Sequence, residues 1–394
     1  MKDKRTYTRY DFFFLTLYTL LCGSIFSYIL YHQIPSDIGA HTQILLRFLE
    51  RDSFPTPPLY YTLLYLLHFI MPYKEGFGLA ALLILTGAGF LKYFWSLSYL
   101  KRYCPQVDSK YVNIFVFALM FFAPIILFWN DGKYWYLGKF TSVIWHNSTT
   151  LLSLPFSILL FYYSLIFFED GNKRLLGAIY VICVVIILIK PSFIFSFLPA
   201  FIIILFFLEQ QFSKTFNICL VGALSLIILI MIEKEIIYSG GLLDHIYAGG
   251  TTSEIKIKPF FVWLSWSEHP VKDVVVSFLF AIFFVLFYFK VLIKDLHFVY
   301  STLMLLIGLM IFFSLVETGH RILDGNFYWQ VIISLSIWHL VLVKNFLLLS
   351  RATFSYGSNA VLNCKNWFLI ILFVLHVVSG FTYLARIVIS EQFL

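Results

Sequence analysis

The feature that most constrains this chain is an apolar block that keeps returning. Runs of about twenty residues with few charges recur along nearly the whole sequence, the length a helix needs to cross a hydrocarbon core about 30 Å thick. In lipid every backbone N–H and C=O must be satisfied internally, so continuous blocks that do not alternate in polarity predict helices rather than a barrel. Eleven spans are read: Asp11 to Tyr31, Gly76 to Ser98, Val112 to Trp129, Leu151 to Phe168, Leu175 to Ile189, Ser192 to Leu208, Phe216 to Ile232, Lys272 to Ile293, Phe298 to Val316, Gln330 to Leu348 and Asn366 to Arg386. The fold class expected is all-α: a polytopic helical membrane protein of about eleven transmembrane helices, forming one integral membrane domain over residues 1–394.

Composition agrees. The chain is 60% hydrophobic and 12% charged, against about 25% charged residues in a soluble domain. A net charge of +7 is then best explained by Lys and Arg on the cytoplasmic side of the membrane, not by a nucleic-acid partner. The five cysteines lie far apart with no CxxC spacing, so neither a disulfide framework nor a paired-cysteine metal site is expected. The basic start "MKDKRTYTRYDFFF" leads into a long apolar run with no small-residue cleavage site, which reads as an uncleaved first span.

One segment does not fit the span length. "LYYTLLYLLHFIM", Leu59 to Met71, is about thirteen residues long and suits an interfacial or re-entrant helix. If it does not cross and the N-terminus is cytoplasmic, the short basic loops "KRYCPQVDSK", "EDGNKR" and "KVLIKD" all fall inside, as the positive-inside rule asks. The polar segments 32–75, 130–150, 233–271 and 317–329 then fall outside. Many of the acidic residues gather there, an asymmetry that lipid does not require and a site built from several loops would.

Candidate chemistry lies in these loops. In "PSDIGAHTQILLRFLERD", Ser36 is a natural N-cap, and Asp37 and His41 share a helix face one turn apart. Ile44, Leu45, Phe48 and Leu49 make an apolar stripe, the pattern of a helix lying on the membrane. Asp37 at its start is placed to act as a general base; the plainer alternative is a carboxylate that complements the helix dipole. In "KFTSVIWHNSTT", Trp145 suits an interfacial anchor, whereas Lys139, His146 and Asn147 are candidates for substrate contact. Lys190, in "ILIKPSFIF", separates two apolar blocks with almost no loop; a Lys beside a helix start can hold an anion, or can simply snorkel. The densest polar link is "ETGHRILDGNFYWQ". Its Glu317, His320, Arg321, Asp324 and Asn326 are more than a connector needs, and Arg321 suits a phosphate gripped by two N–H groups, with Glu317 as its i+4 partner. No Walker, HExxH, GxSxG or Cys/His metal pattern is present in the sequence.

One cytoplasmic N-terminus, one span, an outer loop opening on an Asp, a surface helix and then "FPTPPLYY": this layout resembles the GT-C superfamily of membrane glycosyltransferases. "DIGAHTQILLRFLERDSFPTPPLYYTLLYLL" is similar in arrangement to the matching part of bacterial aminoarabinose transferases and protein O-mannosyltransferases. Asp37 matches that family's catalytic acid, and Pro57, Pro58, Leu59, Tyr60 and Tyr61 match its proline-aromatic segment. The resemblance covers about fifty residues plus the number of spans. It departs where many relatives have Asp-Glu and this chain has Asp37-Ile38, and in the large soluble C-terminal domain that many relatives carry, so the acceptor class stays open.

The resemblance implies an inverting transfer of a sugar from a polyprenyl-phosphate-linked donor to an extracytoplasmic glycan, lipid or protein acceptor, with Asp37 as base. No cofactor is required, although a divalent cation bridging phosphate and Asp37 is compatible. It also implies a multi-pass protein of the bacterial cytoplasmic membrane with its active site outside. Membrane lipids are the other expected partners. Two further classes fit an apolar chain of this kind: a polysaccharide polymerase or ligase, and a lipid or solute transporter or flippase. The polymerase would call for a larger, Arg-rich outer loop, and the transporter for repeated halves.

Overall fold

The computed structural model describes residues 7–70, 76–129, 131, 135–208, 213–239, 254–355 and 363–391. The described chain is mostly helix, with two short strands. In order it forms α1 (Arg9–Tyr31), α2 (Asp37–Leu49), α3 (Pro58–Ile70), α4 (Gly78–Tyr103), α5 (Ser109–Leu119), α6 (Ser148–Asp170), α7 (Arg174–Ile189), α8 (Ser192–Leu208) and α9 (Lys214–Ser239). Next come β1 (Ile255–Ile257), α10 (Phe261–Trp266), α11 (Pro270–Leu292), α12 (Leu296–Ser314) and β2 (Leu315–Glu317). A 3₁₀ turn (Gly319–Arg321), α13 (Trp329–Leu349), α14 (Arg351–Phe354) and α15 (Cys364–Ser390) complete the order.

Eight helices are long and apolar enough to cross a membrane: α1, α4, α6, α9, α11, α12, α13 and α15. Three more of the expected spans, α5, α7 and α8, are apolar but shorter. An all-α, multi-pass membrane protein is therefore what the chain builds, and eight helices reach the full spanning length where the block pattern predicts about eleven. The helices are not equivalent. In α13 89% of the most apolar stretch is buried inside the protein, against 22% in α1 and α9. So α13 sits at the centre, and α1 and α9 turn most of their apolar surface outward.

The largest departure from the block pattern is Val112 to Trp129, which is not one continuous helix. α5 stops at Leu119, ahead of Pro124, whose ring disfavours helical backbone at the preceding residue. The chain then runs irregularly through the protein interior. Ala123 N–H donates to the His376 carbonyl at 3.3 Å, and Ile125 N–H to the Val276 carbonyl at 3.0 Å. Ser379 Oγ donates to the Pro124 carbonyl at 2.5 Å. Gly380 permits this passage, since a Cβ there would lie 1.6 Å from the Phe121 carbonyl oxygen. Non-helical backbone at this depth is tolerable because α11 and α15 supply the partners that lipid cannot.

α1 and α4 lie antiparallel. Lys101 binds Asp11 at 2.6 Å at one end, and Gly89 abuts Cys22 midway. The start of α4 therefore lies at the end of the bundle where α1 finishes. α3 starts at that same end, with Tyr61 hydrogen-bonded to His41, and finishes there too, with the His68 ring 4.8 Å from Phe77 just ahead of α4. Both contacts place the two ends of this thirteen-residue helix at the α1 C-terminal end of the bundle. At the opposite end, buried Asp11 also accepts from Ser109 and Asn113, and Glu169 and Asp295 bind His297 and Lys344. These contacts fasten the helices to one another there.

β1 and β2 pair antiparallel, Ile255 opposite Glu317, and join the two long loops at the α1 C-terminal end.

A polar site where α2, α6 and α8 meet

The segment after α1 folds as its pattern predicts. Ser36 has the extended backbone of an N-cap (φ −157°, ψ 161°) but its hydroxyl makes no capping hydrogen bond, and α2 begins at Asp37. Its apolar side, with Ile38, Leu45 and Phe48, is buried. That packing turns Asp37 and His41 towards the beginning of α6.

Asn147 caps α6. Its Oδ1 accepts from the Thr150 N–H at 2.9 Å, from Thr149 Oγ1 at 3.2 Å and from Lys190 Nζ at 3.1 Å. Three donors at one atom identify it as the amide oxygen. Nδ2 must then face the other way, and it donates to the Asp37 carboxylate in a short hydrogen bond. One amide thus links Asp37 at the start of α2, the first turn of α6, and Lys190 in the link between α7 and α8.

Aromatic rings close the site. The Lys190 ammonium lies 4.2 Å from the centroid of Trp329, at the start of α13, and the His146 ring lies 6.0 Å from the same indole. His41 Nδ1 is 2.5 Å from Tyr61 Oη, and its ring is 5.8 Å from Tyr60. Burial lowers the pKa of Lys190 to about 7; Asp37 opposes the shift and the charge of Arg321 adds to it. Burial likewise takes His41 down to about 4, with Asp37 opposing and Lys190 adding. His146 is lowered by burial under the same two opposing charges. Both histidines are therefore neutral imidazoles near pH 7.

The predicted residues divide into three groups. Asp37, His41, His146, Asn147 and Lys190 come together. Glu317, Arg321, Asp324 and Asn326 form a neighbouring knot whose charge reaches Lys190. In it Arg321 binds Glu317 at 3.2 Å and Asp324 at 3.5 Å, and Asn326 donates to Glu317 at 2.5 Å. The i+4 pairing of Glu317 with Arg321 is thus present, while the side chain of His320 lies outside the described residues.

Lys139 is placed elsewhere. Its ammonium is 2.6 Å from Asp131 and its side chain is 2% exposed, and Lys272 binds the same carboxylate at 2.8 Å. Nearby opposite charge, not the Asp37 site, decides where Lys139 goes. Burial lowers the pKa of Lys139 against the pull of Asp131; at Asp131 burial is outweighed by the two lysines, and its pKa falls.

Two site residues escape a loop-by-loop reading: Trp329, at the far end of the Glu317 link, and Tyr61, in the proline-aromatic segment. Tyr61 stands in the segment already singled out, but nothing in its spacing announces the hydrogen bond to His41. Among the described residues no group of three or more His, Cys, Asp or Glu is arranged to hold a metal. No protein-family model matches the chain, and no curated protein matches it either.

Proposed function

We propose that this chain is a membrane glycosyltransferase that moves a sugar from a polyprenyl-phosphate-linked donor to a hydroxyl-bearing acceptor. The observation that carries the reading is the Asp37–Asn147–Lys190 linkage: a carboxylate and an ammonium held by one amide, between aromatic rings, at one end of an apolar helical bundle. A reaction that removes a proton from a hydroxyl while an anion departs needs such a pair.

In this scheme the Asp37 carboxylate takes the proton of the acceptor hydroxyl. The acceptor oxygen forms its bond to the anomeric carbon from the face opposite the phosphate. The carbon–oxygen bond to phosphate breaks, and polyprenyl phosphate leaves with the electron pair. Lys190, with Arg321 behind it, balances the charge that grows on the phosphate. Trp329 and Tyr61 offer ring faces to the sugar, and the prenyl chain lies along the outer surfaces of the spanning helices. Neutral His41 orients Tyr61 through their hydrogen bond.

The test is transfer in proteoliposomes from polyprenyl-phosphate-linked hexoses or pentoses, followed by release of polyprenyl phosphate. Wild-type protein is expected to release it and Asp37→Asn to do so about 10²–10⁴-fold more slowly, the usual contribution of a general base. Full activity in Asp37→Asn would remove the base from the scheme.

A further inference from the structure

The stretch from β1 to α11 is not the polar loop that its place between two spans suggests. β1 lies beside the last turn of α12. Lys258 N–H donates to the Ser314 carbonyl at 3.0 Å and Phe260 N–H to the Phe313 carbonyl at 2.7 Å, and Ile257 pairs with Leu315. Residues 257–260 are therefore level with the end of a spanning helix. Glu254 is farther out: its carbonyl accepts from the Thr318 N–H at 2.8 Å, and Thr318 stands about 13 Å along the strand from Ser314.

α10 keeps to the same level. The rings of Phe260 and Trp263 lie 5.0 and 5.1 Å from Phe313, and Trp266 lies 5.9 Å from Phe312. The two ends of this six-residue helix thus meet adjacent residues of α12, so α10 runs across the edge of the bundle and not along it. Its inner side is fixed: Val262 is buried, and the Trp263 indole donates to the Gly138 carbonyl at 2.9 Å. Its outer side is apolar and exposed. Phe261 and Leu264, three residues apart, share that side. Phe260 is exposed as well, and Ile257 is 75% exposed.

The occupant of this face follows from its position. Ile257, Phe260, Phe261 and Leu264 would all meet water if the stretch were a free loop, a concentration of large apolar side chains that marks a contact surface. The spans that adjoin it turn apolar side chains outward too, Val271 and Val275 in α11 and Leu306 and Met310 in α12. The exposed face therefore continues the surface that those helices present to lipid. Charge does not explain it: over residues 254–268 Glu254 and Glu268 balance Lys256 and Lys258, and Lys256 is 3.0 Å from Glu254.

We infer that residues 257–266 form an in-plane foot, seated in the boundary between head groups and acyl chains of the leaflet at the α1 C-terminal end of the bundle. The partner is the bilayer itself. Aromatic rings favour this depth, and burial of an apolar face is what holds an in-plane helix there. The inference concerns contact with lipid and does not rest on the transferase reading.

The test uses the full-length protein in phosphatidylcholine vesicles. Cys364, exposed while the other four cysteines are buried, is removed by Cys364→Ser. A nitroxide is then attached to Ile257→Cys, Leu264→Cys, Met310→Cys or Glu254→Cys, one at a time. Collision with oxygen, which concentrates in lipid, is compared with collision with a water-soluble nickel chelate. Labels at 257 and 264 are expected to give oxygen-to-nickel ratios several-fold above that of Glu254→Cys, in the direction of the lipid-facing Met310→Cys. Ratios equal to that of Glu254→Cys would put the foot in water and overturn the inference. Spin–spin broadening at position 264 would overturn it too, by making the face a contact with a second copy. A contrast that appears only after phosphatidylglycerol is added would overturn its apolar basis.

Should the labelled variants fail to fold, the unmodified chain decides. A phosphatidylcholine with a diazirine near its glycerol is photolysed in the same vesicles, and adducts are mapped by peptide. Adducts within residues 255–266 support the foot; adducts on the spans with none in that stretch overturn it.

Discussion

Two polar clusters in this protein are built from the same residue types and are wired differently. In one, buried Asp131 holds Lys139 at 2.6 Å and Lys272 at 2.8 Å, Asp273 accepts from Ser267 at 2.5 Å, and the Leu127 N–H closes on Asp131. Here each lysine faces a carboxylate. In the other, neither Asp37 nor Lys190 has an oppositely charged side chain at ion-pair distance among the described residues. A single amide stands between them, and the face of Trp329 is the other neighbour of the ammonium. A saturated cluster fastens a loop to α11. An unsaturated one keeps its charges ready for something else, and that difference, more than residue type, points to the site.

The comparison can be broken in order of effect. Asp37→Asn should cut sugar transfer by about 10²–10⁴-fold while costing less in thermal unfolding than a broken buried ion pair, since one hydrogen bond from Asn147 to a half-buried carboxylate loses its charge. Asp131→Asn should do the opposite. It removes the carboxylate that Lys139 and Lys272 share, at a side chain that is 1% exposed, and removing one partner of a buried ion pair costs about 3–5 kcal/mol. That loss should show in thermal unfolding of the detergent-solubilised protein. If Asp131→Asn were as stable as wild type, the fastening role would fail.

A pH titration sharpens the contrast. Lys190, with its pKa near 7, carries its charge below that pH and loses it above. Binding of farnesyl phosphate should therefore weaken by about tenfold per pH unit on the alkaline side of 7. Lys190→Arg should flatten the profile, because a guanidinium stays charged. His41, at about 4, adds no inflection between pH 5 and 8. A profile that is flat in wild type would take Lys190 out of phosphate binding.

Asn147→Ala should cost about 0.5–2 kcal/mol of stability for a lost N-cap. It should also separate turnover from binding. With Asp37 and Lys190 no longer held by one amide, kcat should fall more than KM rises. An equal change in both would make Asn147 a cap and nothing more.

Much of the fold is legible in the residues. Block length separates the thirteen-residue α3 from its spanning neighbours. The Asp37–His41 spacing puts both side chains on one face of α2, which the structure packs half-buried against Asn147 and Tyr61. The site is legible only in parts. Asp37, Asn147 and Lys190 could each be suspected, with a helix-dipole role for Asp37 and a snorkelled lysine at 190 as plain rivals. Their positions, 110 and 43 residues apart in the chain, carry no sign that one amide would join them. Lys139, which looked equivalent to Lys190, was diverted by Asp131, a neighbour eight residues away whose hold depends on how the loop closes.

The sequence by itself determined that this is a helical, multi-pass membrane protein, because hydrocarbon leaves a backbone few ways to satisfy its hydrogen bonds. It also determined where the polar loops fall along the chain. Only the tertiary structure decided that residues 121–127 leave the helix, which polar groups saturate one another, and which remain open. Hydropathy measures how apolar a segment is; it does not register whether the apolar neighbour is lipid or another helix. Nor does it say which distant carbonyl, amide or carboxylate will lie within 3 Å once the helices have packed.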